Sequence, residues 1–374
     1  MKRSVEFIED DEDSRKKQKI YLIDEEHSQS PIIDISMDEE RVPSSPIIDI
    51  STEEERVQSP IIGSDDDDGV KPIVERSSLY DLNFAVSSNI GSRKYQEDTF
   101  ITIPITQFWD SNGRQRTGSL FVIFDGHGGP QVSDFLKDEF AYYFKDIPLT
   151  DKNIKRAFLE LDQQFDEAKN VGSTCVAVFI LEKDMDELEV ICANSGDSRA
   201  ILTSRNWYSN LSFDHKPKDL KERKRIENHG NIVCERGRIN SKLIVSRAFG
   251  DYQYKDTKNG KFTTKETSVI VRPQIIRKPV LLTERMVDHY IVLGSDGMWD
   301  VMSCLDVWKF MATTREKTFK KVEIGNTSSF GDEEQLLKCA EHLIYKSMSK
   351  YKSEDNCTVI IVKIAKSKNG IYRF

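Results

Sequence analysis

The sequence predicts a layered α+β domain with mostly antiparallel strand pairing, preceded by a long acidic tail that does not fold by itself. Three observations carry this. From about residue 79 the hydrophobic pattern runs strands, two helices, strands, two helices and a last strand. Two of those strands are unbroken apolar runs, Phe121-Val122-Ile123-Phe124 and Val359-Ile360-Ile361-Val362, which read as buried. Before residue 79 the chain is rich in acid, Ser and Pro and poor in aromatics, so it cannot bury enough surface to fold alone.

Charge divides the 374 residues in the same place. Residues 1–78 hold 10 Lys and Arg against 22 Asp and Glu, whereas residues 79–374 hold 44 against 41. The net charge of −9 therefore belongs to the tail, and the nearly neutral body is a poor nucleic-acid binder. All six Cys follow residue 170, mostly inside apolar runs and never as a Cys-x-x-Cys pair, the usage of a reducing compartment. With no apolar run of 18 residues and no signal peptide at its start, the chain is expected to be soluble and intracellular, and a monomer without direct nucleic-acid or membrane partners.

The tail carries a repeat. Ser30-Pro31-Ile32-Ile33-Asp34-Ile35-Ser36 recurs as Ser45-Pro46-Ile47-Ile48-Asp49-Ile50-Ser51, and Ser59-Pro60-Ile61-Ile62 opens a third, degenerate copy. Each unit is too short to fold, so these are linear motifs on a flexible string. An Ile-Ile-Asp-Ile core followed by acids resembles the SUMO-interacting motif, which adds a strand to its partner's sheet. SUMO or SUMO-modified proteins are thus expected partners of residues 30–62; repetition without a partner is the other reading. Lys2-Arg3 and Arg15-Lys16-Lys17-Gln18-Lys19 have the spacing of a bipartite nuclear import signal, and a nuclear or cytoplasmic location is expected.

In the body, Phe84-Ala85-Val86 and Phe100-Ile101-Thr102-Ile103 read as the first two strands, and Phe121–Phe124 as the third. Val132, Phe135, Leu136, Phe140, Tyr143 and Phe144 form a helical stripe, and Ile154, Ala157, Phe158, Leu161 and Phe165 a second, so an antiparallel pair laid on a sheet is expected. Gly172-Ser173-Thr174 opens a strand through Leu181, a turn follows at 184–187, and Leu188–Ala193 returns as its hairpin partner. Ala200-Ile201-Leu202 is a short strand. Residues 213–242 are polar, with a basic helix around Lys221–Glu227, and read as a surface excursion before Leu243–Asp251 re-enters the core. Val307–Met311 and Leu336, Leu337, Ala340, Leu343 and Ile344 give a second helix pair, with a loop expected at 317–334.

Chemistry gathers at strand ends. Phe121–Phe124 runs into Asp125-Gly126-His127-Gly128-Gly129; Tyr290-Ile291-Val292-Leu293 runs into Gly294-Ser295-Asp296-Gly297; Asp355-Asn356 leads into the last strand. Three carboxylates on rigid strand ends, far apart in sequence, are what an all-oxygen metal site needs.

Taken in order, Arg93…Glu97-Asp98, Asp125-Gly126-His127-Gly128-Gly129, Gly172-Ser173-Thr174, Gly196-Asp197-Ser198-Arg199, Asp214-His215-Lys216-Pro217, Ser246-Arg247-Ala248-Phe249-Gly250-Asp251, Ser295-Asp296-Gly297-Met298-Trp299-Asp300 and Asp355-Asn356-Cys357-Thr358 resemble the metal-dependent Ser/Thr protein phosphatases of the type 2C (PPM) family. The likeness covers about residues 80–365, departs slightly at Gln96 and in the loop at 317–334, and excludes the tail. It implies a phosphatase domain over 79–374 folded as a four-layer α-β-β-α sandwich, two antiparallel sheets flanked by helix pairs. It also implies hydrolysis of phosphoserine and phosphothreonine by a hydroxide held between two Mg²⁺ or Mn²⁺ ions. By resemblance Asp125 bridges them, the Gly126 carbonyl completes one, and Asp296 and Asp355 hold the other, with Glu97 nearby. Asp98 would hold a metal-bound water, and Asp197 and Asp300 match positions linked to a weaker third metal. Arg93 would clamp the phosphate and His127 would protonate the leaving oxygen. The alternative is a catalytically inactive phosphatase fold serving as a binding module or SUMO-directed adaptor. A cysteine-based phosphatase is excluded, because no Cys stands five residues before an Arg.

Overall fold

The computed structural model describes residues 75–76, 80–165, 170–183, 186–255, 257–258, 261–262, 267–282, 288–323 and 332–366. The repeats, the basic clusters and nearly all of the predicted tail lie outside them.

In chain order, β1 (Glu75–Arg76), β2 (Tyr80–Asn89), β3 (Asp98–Trp109) and β4 (Gln115–His127) precede α1 (Gln131–Glu139), a 3₁₀ turn at Phe140–Phe144 and α2 (Asp151–Asp162). Then come β5 (Gly172–Ser173), β6 (Cys175–Glu182), β7 (Glu187–Ser195), β8 (Arg199–Thr203), β9 (Tyr208–Asn210) and α3 (Leu220–Asn228). After β10 (Phe249–Gly250), the small hairpin β11 (Thr257–Lys258) and β12 (Lys261–Phe262), β13 (Gln274–Leu281) and β14 (His289–Gly294) follow. The chain closes with α4 (Asp296–Trp299), α5 (Cys304–Glu323), α6 (Asp332–Tyr345), a π turn at Lys346–Lys350 and β15 (Cys357–Lys366).

The long strands form two antiparallel sheets. One is ordered β1-β2-β15-β14-β8-β9; the other is β10-β5-β4-β6-β7-β13, with β3 on the free side of β4. Side chains alternate along each strand, and here both faces are covered. On β4, Phe121 and Ile123 meet Phe84, Val178, Leu293 and Ile360 between the sheets. Leu120, Val122 and Phe124 point the other way, onto Leu136, Phe140 and Phe158 of the first helical layer. On β15, Ile360 and Val362 face the inter-sheet core, while Val359 and Ile361 meet Met298, Leu343 and Ile344 of the second helical layer. The unbroken apolar runs are thus the signature of strands in the middle of a four-layer α-β-β-α sandwich, as expected.

Three details differ from the sequence reading. Pairing of Glu75 with Leu82 and of Arg76 with Asp81 adds two residues of the segment assigned to the tail to the sheet. The stripe ending at Phe144 is α-helical only to Glu139 and then tightens to 3₁₀, which brings Phe140 and Phe144 together on Phe158. The segment 317–334, expected as loop, is helical at both ends: α5 continues to Glu323, and Asp332 already opens α6. The polar excursion encloses a small core of its own, built from Ile226, Val233, Ile239, Val245, Ala248, Tyr254 and Val269.

Candidate functional site

The predicted residues converge at one end of the sandwich. Asp125 stands near the end of β4, Asp98 begins β3 directly opposite it in register, Asp296 follows β14, and Asp355 precedes β15. Carboxylate oxygens of Asp125, Asp197 and Asp296 all lie within 4.8 Å of one another. Asp197, assigned to the weaker third position, sits with the central pair, whereas Asp355 lies outside the triad and takes Arg93 Nη2 at 2.6 Å.

Burial of several like charges at one point is costly, and the carboxyls respond. Burial, and then the charges of Asp296, Asp98, Asp197 and Asp355, push Asp125 well above the usual carboxylate range. Burial followed by Asp197, Asp355 and Asp300 does the same to Asp296. Asp197 is raised by burial, against which the Lys216 ammonium works at 2.5 Å. Asp98, 5% exposed, is pushed by burial up to about 6. Ser295 donates to its Oδ2 at 2.8 Å, while its buried Oδ1 has no hydrogen-bond partner among the described residues.

The loop carrying Arg93 and Glu97 is tied down by Asn356. Its Nδ2 donates to the Ile90 and Tyr95 carbonyls at 2.9 and 3.1 Å, and its Oδ1 accepts from the Glu97 amide at 2.8 Å. Glycine at 126 follows from the same packing: a Cβ there would stand 2.5 Å from the Glu97 carbonyl oxygen and 2.7 Å from Ser133 Oγ. The Glu97 backbone thus runs alongside β4, its carbonyl accepting from the Gly126 amide at 3.1 Å, which places Glu97 and Asp98 beside Asp125.

His127 is half-buried, with Nε2 2.7 Å from Asp251 Oδ2. Burial works to lower its pKa, but the Asp251 carboxylate outweighs it and the imidazolium is favoured. Asp251 adopts a left-handed φ of 54°, unusual for a residue with a Cβ. The conformation is held from behind: Asp162 of α2 accepts from the Gly250 amide at 2.8 Å and pairs with the buried Lys255 ammonium, which also donates to the Ala248 carbonyl.

Asp300, at the end of α4, is exposed, and Lys216 Nζ lies 3.4 Å from it while also reaching Asp197. Arg93, half exposed, does not stand free: its partner is Asp355. Sequence reading quoted Lys216, Asp251, Ser295 and Asn356 inside motifs without giving them roles. No spacing signal marks them, because Asp251, Ser295 and Asn356 act on residues 124, 197 and 266 positions away and Lys216 on residues 19 and 84 away.

Comparison with known proteins identifies the family. The family model described as protein phosphatase 2C matches residues 82–357. The chain is 29% identical over 289 residues to probable protein phosphatase 2C 22 of Arabidopsis thaliana, covering 74% of this chain and 67% of that protein. It is 32% identical over 238 residues to protein phosphatase 2C homolog 2 of Schizosaccharomyces pombe (62% and 61%) and 31% identical over 309 residues to probable protein phosphatase 2C 3 of Paramecium tetraurelia (76% and 92%). Among solved structures, a phosphatase from a pathogenic strain of Toxoplasma gondii superposes with a TM-score of 0.62 at 21% identity, covering 78% of this chain and 95% of that one.

Proposed function

The chain belongs to the protein phosphatase 2C family and is a metal-dependent protein serine/threonine phosphatase, and from that premise we propose how its own residues divide the work. Asp125, Asp296, Asp355 and Glu97, with the Gly126 carbonyl, would hold two Mg²⁺ or Mn²⁺ ions, with Asp197 and Asp300 serving a weaker third. The observation that supports this is the approach of Asp125 and Asp296 to within 4.8 Å, with Asp197 beside them, in a largely buried setting; Asp355, Glu97, Gly126 and Asp300 are carried over from the family pattern. The donors are carboxylates with no thiolate among them, a hard-cation set. Their raised pKa values say that the cluster needs neutralising, by protons or by cations. When bound, the ions lower the pKa of an attacking water and draw charge from the phosphoryl oxygens.

The remaining steps fall to the protein. Asp98, with Oδ2 engaged by Ser295 and Oδ1 without a partner, would orient a water at the centre. Arg93 would exchange Asp355 for the substrate phosphate, its planar fork matching two phosphate oxygens. His127, kept protonated by Asp251 on Nε2, would deliver a proton to the departing serine or threonine oxygen. The inactive binding-module alternative has no observation in its favour.

The test is Asp296→Asn. Turnover of p-nitrophenyl phosphate should vanish at every Mn²⁺ concentration while the circular dichroism spectrum stays unchanged. Robust wild-type activity in excess chelator would overturn the reading.

The proposal extends to the tail on sequence alone. The Ile-Ile-Asp-Ile repeats would add strands to SUMO, weakly singly and well as a set, because the second contact forms at high effective concentration. NMR titration of residues 20–70 should show strong binding of poly-SUMO and weak binding of single SUMO, abolished by alanine at Ile33 and Ile48. Lys2-Arg3 with Arg15–Lys19 would direct the monomeric protein to the nucleus. An unchanged nuclear fraction after neutralising both clusters would discard that part.

A further inference from the structure

The excursion between His215 and Arg247 leaves the domain and returns to it beside the candidate site. At its start Lys216 reaches Asp197 at 2.5 Å and Asp300 at 3.4 Å. Just past its end Asp251 holds His127 at 2.7 Å. Both ends of the excursion are therefore anchored beside the carboxylate cluster, and Lys218 stands two residues from the one that touches it.

Its charge departs from that of the rest. Residues 215–247 hold ten Lys and Arg against four Asp and Glu, whereas residues 79–374 together are within three charges of neutral. Some of these bases are used internally: Arg225 and Arg247 pair with Glu222, and Arg223 with Glu227. Lys218, Lys221, Lys224, Arg236 and Lys242 are exposed, and none has a carboxylate partner among the described residues.

The fold gathers them. Carbons of the Lys218 side chain lie 2.6–3.0 Å from where a Cβ on Gly237 would stand, so Lys218 crosses the turn that carries Arg236. Lys221 and Lys224 are three apart on α3, whose opposite face buries Glu222, Arg225 and Ile226. They therefore share its outer face. The core of Ile226, Val233, Ile239 and Val245 beneath fixes helix and turn in one body. Unpaired bases on a rigid surface raise the local concentration of anions and steer them inward.

We propose that this basic face is a subsite for the acidic flank of a phosphopeptide, one whose phosphoserine or phosphothreonine is accompanied by several Asp or Glu residues. The inference rests on the phosphatase reading above and names the substrate class for that site. Recognition would be electrostatic and long-ranged, acting on KM and on the encounter rate rather than on the chemical step.

The full-length protein is assayed with three phosphothreonine peptides of equal length, flanked by Glu, Ala or Lys, and with p-nitrophenyl phosphate. Expected for the wild type is kcat/KM falling in the order Glu, Ala, Lys, with the Glu advantage shrinking as salt rises. Lys221→Glu with Lys224→Glu should lower kcat/KM for the acidic peptide about tenfold through KM and leave p-nitrophenyl phosphate turnover unchanged. The gentler pair Lys221→Gln with Lys224→Gln should move the same way by less. Equal kcat/KM for Glu and Ala peptides, or a preference that survives charge reversal, overturns the proposal. Binding of phosphatidylserine vesicles through Lys221 and Lys224 with no change in peptide preference would make the face a membrane surface and overturn it too. Failure of the wild type to turn over p-nitrophenyl phosphate would sink the phosphatase reading itself, and the subsite with it.

Discussion

Replacing Glu222 by Gln probes what holds the basic excursion to the domain. The Glu222 side chain is 6% exposed and serves three groups at once: Arg225 Nη1 at 2.7 Å, Arg247 Nη2 at 2.7 Å with Nε at 3.1 Å, and Ser246 Oγ at 2.8 Å. Burial alone would raise its pKa, but the two guanidinium groups win and hold it at about 2, below the ordinary 4.5. A depressed carboxyl binds its proton more readily in the unfolded chain, so its ionisation stabilises the fold above pH 4.5, and that stability is lost as the pH falls towards 2. The difference corresponds to about 3 kcal/mol at pH 7 and about 1 kcal/mol at pH 3. It agrees with the roughly 3–5 kcal/mol expected when one partner of a buried ion pair is removed. Urea unfolding of wild type and Glu222→Gln, followed by tryptophan fluorescence at pH 7, 5, 4 and 3, should therefore show a gap that narrows below pH 4.5. A gap that stays constant across this range, or one below about 1 kcal/mol at pH 7, would refute the charge-pairing argument.

Three further outcomes follow from the same geometry. His127→Ala should slow a phosphoserine peptide far more than p-nitrophenyl phosphate, by about 10²-fold, because only the poor leaving group needs the proton; equal losses would remove His127 from the acid role. Asp162→Asn leaves the buried Lys255 ammonium without its counter-charge and should cost about 3–5 kcal/mol in denaturant unfolding. Phe140→Ala empties a fully buried position packed on Phe124, Phe144 and Phe158; a loss of about 3–5 kcal/mol in the same assay is expected, and one under 1 kcal/mol would mean that the helical layer collapses around the gap.

Much of this molecule was legible along the chain because its physics is local. Strands in the middle of the sandwich bury both faces, so Phe121–Phe124 and Val359–Val362 had to be apolar throughout. Helices over a sheet bury one stripe, and Leu136 and Leu343 show it at the expected spacing. Asp125 and Asp296 stood out because a carboxylate ending a core strand has little structural excuse. Where the local signal was weak, the reading slipped. Residues 317–323 carry few apolar positions and read as loop, yet α5 runs through them. β13 carries no clear signal in the sequence, because Pro279 and two charges interrupt a strand that, among the described residues, pairs only with β7. The site itself needed the tertiary structure. That Asp197 joins Asp125 and Asp296, that Lys216 neutralises Asp197, and that Asp251 is bent into a left-handed conformation to hold His127 are facts about distances between residues remote in the chain. Coulomb energy depends on separation in space, and sequence separation does not report it. The chain by itself determined which carboxylates exist and on which rigid elements; packing the two sheets face to face decided which of them stand within reach of one another and of a counter-charge.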